Sequence, residues 1–131
     1  MHEAVIKTGV FEGAAARPRG ERFVRRLLHF LALTDSDALD FNPGYPKLYD
    51  SGIRYARDPD WLDSHALLEY GVGDCKSLCA YRLAELHRSG EDPGARMIVT
   101  GGPNPGGGGQ YHVRILRSGG WIEDPSRRKG M

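Results

Sequence analysis

The sequence has little of what would assign it a partner or a compartment. Its 18 basic and 17 acidic residues leave a formal net charge of +1, without the basic surplus that usually accompanies nucleic-acid binding. No run of about eighteen apolar residues occurs, which argues against a membrane-spanning helix. Residues 1–20 lack the apolar core of a signal peptide. We therefore expect a cytoplasmic protein that binds neither nucleic acid nor a membrane.

Cysteine is also scarce, since the chain has only Cys75 and Cys79. They lie four residues apart on one predicted helix, a spacing that rarely suits a disulfide, so we expect two reduced thiols. Together with His87 and His112 they could supply four zinc ligands. Structural zinc normally uses Cys-x-x-Cys pairs or closely spaced histidines, and the sequence has neither, so no metal or other cofactor is expected.

The predicted elements indicate one α+β domain over residues 1–131, because a second core would need roughly another hundred residues. Residues 1–40 are predicted to form a strand and a helix. Residues 41–72 hold four tyrosines and a tryptophan among prolines and glycines, which is typical of an ordered covering segment. Residues 73–131 contain a helix and then three strands, so we expect a helix packed on an antiparallel sheet. The glycine tract 106–109 is interpreted as a mobile hairpin loop.

The first predicted helix has an apolar stripe at helical spacing. Its expected core-facing residues are Phe23, Leu27, Phe30 and Leu31. Thr34 and Asp35 are cap candidates for a short further turn of helix, which Pro43 then ends.

Cys75 follows a Gly-Val-Gly-Asp turn, where the main helix is predicted to begin. The positive end of a helix dipole can stabilise a thiolate, and glycines let main-chain N–H groups approach the sulfur, as an oxyanion site requires. A small core residue is the alternative role. Asp74 is the expected N-cap, with a charge that opposes thiolate formation. Lys76 is expected to be solvated, and Cys79 to be buried with the leucines of the helix.

His112 and Asp124 add an imidazole and a carboxylate to this thiol. His112 lies mid-strand, facing the side opposite Val113, and Asp124 ends the next strand beyond the turn at Ser118–Gly120. Neighbouring antiparallel strands bring such residues within side-chain reach. Thiol, imidazole and acid then match the nucleophile, base and orienter of thiol catalysis. An ordinary sheet histidine and a turn aspartate before Pro125 are the alternative.

Two stretches, "GDCKSLCAYRLAELHRSG" and "YHVRILRSGGWIEDPS", resemble the transglutaminase-like superfamily of papain-related thiol enzymes. In that family a Gly-Asp-Cys opens the core helix, a histidine lies on a strand, and an aromatic residue precedes an Asp-Pro on the next strand. "LYDSGIRYARDPDW" and "IEDPSRRKGM" are similar to stretches of the small transglutaminase-like proteins of tailed phages and prophages. The resemblance implies Cys75 as nucleophile, His112 as base and Asp124 as orienter.

The resemblance further implies a transglutaminase-like, papain-like core and acyl transfer on a protein or peptide substrate. The reacting amide would be a peptide bond or a glutamine side chain. The acyl group would pass to water in a cysteine protease or amidase, or to an amine in a transglutaminase, and the sequence leaves this choice open. The alternative is a phage-type structural or assembly module that keeps the fold without catalysis, contacts phage structural proteins and is associated with the virion.

Papain-like sites usually add a side-chain donor, often glutamine, a few residues before the cysteine. Here the single glutamine, Gln110, lies next to the strand histidine instead, so the second oxyanion donor is unassigned. The covering segment offers three further donors, Tyr55, Trp61 and Tyr70. With Gln110 these are the candidate oxyanion or substrate-binding residues, and aromatic packing is the alternative role for the three.

Overall fold

The computed structural model describes residues 5–6, 18–103 and 109–131, and the side chains of residues 22–101 and 111–131. This part of the chain is mixed helix and sheet, broadly α+β, as predicted. The glycine tract predicted as a mobile loop lies outside the described residues, apart from Gly109.

The described elements are short except for two helices and two strands. In chain order they are β1 (Val5–Ile6), α1 (Pro18–Phe41), a 3-10 turn (Leu48–Asp50), β2 (Arg54–Tyr55), β3 (Trp61–Leu62), α2 (Ser64–Tyr70), β4 (Val72–Gly73), α3 (Cys75–Ser89), β5 (Arg96–Pro103), β6 (Gly109–Leu116), β7 (Ile122–Glu123) and α4 (Pro125–Arg128). No helix among the described residues is long and apolar enough to cross a membrane.

Helix α1 is a single helix from Pro18 to Phe41, so the predicted break is wrong. Thr34 does not cap a second helix, because its hydroxyl donates to the Phe30 carbonyl one turn back, at 3.0 Å. Asp35 is buried, and its Oδ1 accepts a hydrogen bond from the Ser64 backbone N–H at 2.6 Å. The carboxylate therefore ties α1 to the start of α2.

The buried face of α1 is rotated from the predicted one. Phe23 and Phe30 are 44% and 56% exposed, so two of the four predicted core residues are wrong, while Leu31 is buried as predicted and Leu27 is half-buried. The residues that are buried instead are Val24, Leu28, Ala32 and Ala38. Both faces of α1 carry apolar side chains, and the face that packs against α3 is the one that is buried.

Helix α3 matches its prediction closely. It begins at Cys75 and ends at Ser89, where Gly90 adopts a left-handed conformation with φ 75°, which suits a C-terminal glycine. The predicted core stripe is buried along its whole length: Cys75, Leu78, Cys79, Leu83 and Leu86. One side of α3 packs on α1 and on the sheet, so the helix is central to the fold.

The sheet is antiparallel, in the order β5-β6-β7. Thr100 pairs with His112, and Ile115 pairs with Glu123. Val113 and Ile115 are fully buried in the cluster that includes α3 residues. Because side chains alternate along a strand, His112 faces the opposite side of the sheet, as predicted.

The covering segment, residues 41–72, is more regular than predicted and has a core of its own. Strand β2 pairs in parallel with β4, and β3 pairs with β1. Helix α2 ends at Tyr70, and Gly71 is its C-cap, with φ 76°. The second buried cluster contains Leu48, Ile53, Leu62, Ala66, Leu67, Leu78 and Tyr81. This segment therefore packs on the other side of α3 instead of lying over the protein as a loop.

Candidate active site

Cys75 is the first residue of α3 and is 7% exposed. Strand β4 leads into it, and Gly73 is required there: a Cβ on Gly73 would lie 2.3 Å from Leu67 Cδ2. A real Cβ does not come so close to another carbon, so only glycine lets the chain pass α2 at this point. The Gly-Val-Gly-Asp turn thus positions Cys75 through close packing.

The first turn of α3 lies beside Val113 of β6. The Val113 N–H interacts with the Cys75 sulfur and lowers its pKa, and Cys79 Sγ donates to the Val113 carbonyl at 3.2 Å. Strand β7 pairs with β6 only at Ile115 and Leu116, so these backbone groups of Val113 are left for the two thiols. The Cys75 sulfur therefore lies next to the peptide that joins His112 to Val113.

His112 and Asp124 are brought together as predicted. His112 Nε2 is 2.8 Å from Asp124 Oδ2, and the two side chains are 29% and 16% exposed. The other oxygen of Asp124 accepts from the Arg127 backbone N–H at 3.4 Å, since Asp124 is also the N-cap of α4. This pairing leaves Nδ1 as the ring nitrogen that can exchange a proton with a nucleophile.

The resting Cys75 thiol is not acidified by its position at the helix start. Burial, and then the nearby Asp74 carboxylate, raise the pKa of Cys75 to about 11, although the Val113 N–H and the Lys76 ammonium lower it. The Asp74 carboxylate raises the pKa of Cys75, as expected from the sequence. Because desolvation of the thiolate exceeds the stabilisation by the helix end, the thiol is neutral at pH 7.

Lys76 is buried, so the expectation of a solvated side chain is wrong. It is 1% exposed, its Nζ donates to the Asp58 carbonyl at 2.7 Å, and the same ammonium lies 5.7 Å from the centre of the Trp61 ring. It also pairs with the Asp74 carboxylate. The segment from Asp58 to Trp61 closes over the first turn of α3 and takes this lysine out of water.

Asp74 occupies the N-cap position but makes no capping hydrogen bond. Its carboxylate turns to Lys76 instead, and its Oδ1 is buried without a hydrogen-bond partner among the described residues. Burial raises the pKa of Asp74 even though Lys76 lowers it. Asp74 is therefore the N-cap residue of α3, as predicted, but its carboxylate pairs with Lys76, and the Ser77 N–H contributes only by lowering its pKa.

Tyr55 is the aromatic candidate that interacts electrostatically with the Cys75 thiol. Burial raises the pKa of its hydroxyl, and the charges of Cys75 and Asp74 raise it further, while Arg57 lowers it. Its strand β2 pairs in parallel with β4, and Tyr55 aligns with Gly73. This pairing places Tyr55, whose hydroxyl can donate a hydrogen bond, near the start of α3.

The other three candidates have different surroundings. Trp61 is completely buried and packs in the same cluster as Cys75, which is the alternative role of aromatic packing. Tyr70 is 52% exposed at the last position of α2. Gln110 lies in β6, opposite Gly102, and its side chain is outside the described residues.

The four residues considered for zinc do not converge. His87 is twelve residues after Cys75 on α3, about 18 Å along the helix axis, and its Nε2 contacts the Ala95 carbonyl at 2.7 Å. Within the described ranges there is no group of three or more potential metal-ligating side chains. Cys79 is fully buried, as expected, and burial raises its pKa well above that of a free thiol.

Glu123 is a neighbour of the candidate site that was not predicted from the sequence. This buried carboxylate accepts from Arg82 Nε at 2.7 Å, from Arg117 Nη1 at 2.6 Å and from the Tyr49 hydroxyl. These contacts hold β7 against β6 and α3, and so place Asp124, the next residue. A glutamate in an apolar strand position, with arginines on both flanking elements, is the signal that could have indicated it.

Comparison with protein-family models, with curated proteins and with solved structures finds no match to this chain.

Proposed function

We propose that this protein carries out thiol-dependent acyl transfer on amide substrates, as a transglutaminase-like cysteine peptidase, amidase or acyltransferase. Its reacting groups are Cys75, His112 and Asp124. The observation that carries the proposal is the 2.8 Å hydrogen bond from His112 to Asp124, on the strand whose next peptide meets the Cys75 sulfur. A core helix that opens on the thiol and is followed by a three-stranded antiparallel sheet also supports the transglutaminase-like core.

The reaction starts from a neutral thiol. The Cys75 sulfur attacks the substrate carbonyl carbon and forms a C–S bond, while His112 Nδ1 takes the thiol proton. Asp124 holds the ring through Nε2 and stabilises the imidazolium that forms. With a thiol pKa of about 11, proton transfer accompanies the attack and does not precede it.

The oxyanion of the tetrahedral intermediate needs donors placed before the reaction. The backbone N–H of Cys75 is one, at the free N-terminus of α3. The Tyr55 hydroxyl, whose pKa reports the nearby Cys75 and Asp74 charges, is the second. It takes the place of the glutamine that papain-like sites use.

Collapse of the intermediate breaks the C–N bond, and His112 returns its proton to the leaving amine. The resulting thioester on Cys75 passes its acyl group to water or to an amine, with His112 again as base. Hydrolysis is the less demanding outcome, and it is the one we propose.

Mass spectrometry with a panel of peptide electrophiles that trap acyl-accepting thiols tests this proposal. We expect the wild type and Cys79→Ala to be labelled at Cys75, and Cys75→Ala to be unlabelled. His112→Ala should lower the rate by roughly a hundredfold or more. If Cys75 is labelled at the rate of an ordinary thiol, and this rate is unchanged in His112→Ala, the proposed catalytic function is wrong.

The burial of Cys75 and its raised pKa favour a second candidate, a phage-type structural or assembly module with the same fold and no catalysis. This module would contact phage structural proteins and would be found in the virion. In that case none of the electrophiles would label Cys75 faster than a free thiol.

A further inference from the structure

Arg114 is a partly buried cation on the strand that carries His112. It lies two residues after His112, so both side chains project from the same face of the sheet. Its Nε is buried without a hydrogen-bond partner among the described residues, and one terminal nitrogen donates only a long hydrogen bond, 3.5 Å, to Thr100 Oγ1. The guanidinium is therefore poorly satisfied on the face that holds His112.

The other two arginines buried near the sheet differ in this respect. Arg82 forms ion pairs with Glu85, Glu91 and Glu123, and Arg117 pairs with Asp92 and Glu123. No carboxylate within the described ranges is paired with Arg114. An unsatisfied buried N–H costs free energy, so the Arg114 guanidinium has a donor free for an acceptor from outside the described residues.

The sheet register places the guanidinium beside the candidate active site. Thr100 is the cross-strand partner of His112, so the end of the Arg114 side chain lies next to His112 on the β5 side. Asp124 holds the same imidazole on the β7 side. Asp124 would align with Arg114 if β7 continued, but its two oxygens bond to His112 and to the Arg127 N–H.

A guanidinium presents paired N–H donors that match the two oxygens of a carboxylate. We propose that Arg114 binds a substrate carboxylate, and that the site acts on peptides with a free carboxylate close to the reacting amide. A C-terminal residue, or an acidic residue close to the reacting carbonyl, meets this requirement. This inference rests on the proposed function, because it names the substrate class of the same site.

Alkylation of Cys75 by iodoacetate and by iodoacetamide tests the inference without a known substrate. The two reagents react with the same thiol and differ in carrying a carboxylate or a neutral amide. We expect Arg114→Gln to lower the ratio of the iodoacetate rate to the iodoacetamide rate by about fivefold, the size of a modest ion-pair contribution. Peptide mass spectrometry assigns each adduct to Cys75, and the iodoacetamide rate alone should stay within about twofold of the wild type.

Two control variants remove the same charge elsewhere. Arg96→Gln lies at the opposite end of β5, is exposed, and should leave the ratio unchanged. Arg57→Gln removes the exposed cation beside Tyr55. A drop in the ratio in Arg57→Gln but not in Arg114→Gln, or an equal drop in all three variants, would overturn the assignment to Arg114.

A second measurement uses only the wild-type chain. N-acetylglycine should protect Cys75 from iodoacetamide, and N-acetylglycinamide, which lacks the carboxylate, should protect it much less. Equal protection by both compounds would contradict carboxylate binding. These results can be told apart from those of the acyl-trapping experiment. If Cys75 is not trapped but still prefers iodoacetate, the proposed enzyme activity is wrong and the carboxylate site remains supported. If Cys75 is trapped but shows no such preference, only the inference about Arg114 is wrong.

Discussion

At the scale of single residues, the ionisation of Cys75 is decided by its neighbours. Burial and the Asp74 carboxylate raise its pKa, and they outweigh the N–H of Val113 and the charge of Lys76. The first turn of α3 also holds a buried ion pair, Lys76 with Asp74, whose two charges act on the sulfur in opposite directions. The Cys75 thiol is therefore protonated at neutral pH.

Asp74→Asn should make Cys75 more acidic. The substitution removes the anion that opposes the thiolate, so the pKa should fall from about 11. We expect the midpoint of the pH dependence of iodoacetamide alkylation to fall by about one pH unit, which corresponds to about 1.4 kcal/mol.

The matched control for Asp74→Asn is Asp37→Asn, the same chemical change on the exposed side of α1. It should leave the alkylation midpoint of Cys75 where it is in the wild type. An unchanged or higher midpoint in Asp74→Asn would show that Asp74 does not act on the sulfur.

At the scale of elements, the short strand β7 carries a large part of the site. It has only two residues, Ile122 and Glu123, too few for its backbone pairing alone to fix the position of Asp124. Glu123 makes up for this, because Arg82 of α3 and Arg117 of the preceding turn both bind its carboxylate. The end of the sheet is thus anchored to the central helix through one buried acid.

Glu123→Gln should destabilise the fold at neutral pH by about 3 kcal/mol, because it leaves two partly buried arginines without their shared carboxylate. Burial raises the pKa of Glu123, but Arg82, Tyr49 and Arg117 together hold it below its ordinary value of 4.5. The stability from this group is therefore present above 4.5 and is lost as the pH falls through the lower, folded-state value.

Urea unfolding of the wild type and of Glu123→Gln at several pH values measures this difference. The gap between the two free energies of unfolding should be full at pH 7 and should shrink below about pH 4. Glu91→Gln, which removes the exposed partner of Arg82, is the control and should cost about 0.5 kcal/mol or less. A gap that does not change with pH would contradict the ion-pair explanation.

At the scale of the whole molecule, α3 is the central element, with a hydrophobic cluster on each side. One cluster joins it to α1 and the sheet, and the other joins it to the segment 41–72. The first cluster depends on which face α1 turns inward. Leu31 is 1% exposed, whereas Phe30, the next residue back along the helix, is 56% exposed.

Leu31→Ala should therefore cost about 2–5 kcal/mol of unfolding free energy, as expected for a cavity in a packed core. Phe30→Ala, although it deletes a larger side chain, should cost about 0.5 kcal/mol or less, as expected for an exposed position. Urea unfolding of the two variants decides between the faces. A larger loss of unfolding free energy in Phe30→Ala than in Leu31→Ala would show that the face of α1 predicted from the sequence is the buried one.

Much of the candidate site followed from local sequence. A glycine turn before Cys75 and the Ser89-Gly90 pair at the end of the helix predicted α3 from about Asp74 to His87, within two residues of the observed bounds, because caps are local features. The hydrogen bond between His112 and Asp124 was predictable, because a short turn sets the register of the two strands that carry them. The predicted face of α1 was partly wrong, since both faces of that helix carry apolar residues.

The sequence by itself determined where α3 and the three strands after it lie, that a thiol opens the central helix, and which imidazole meets which carboxylate. Those features depend on residues that are neighbours in the chain or across one short turn. Only the tertiary structure decided that Lys76 is buried, that the Asp74 carboxylate pairs with it, that the Cys75 thiol is neutral and that Arg114 lacks a carboxylate among the described residues. Burial and charge at each of these positions depend on groups distant in sequence, from Asp58 to Val113, which local pattern does not specify.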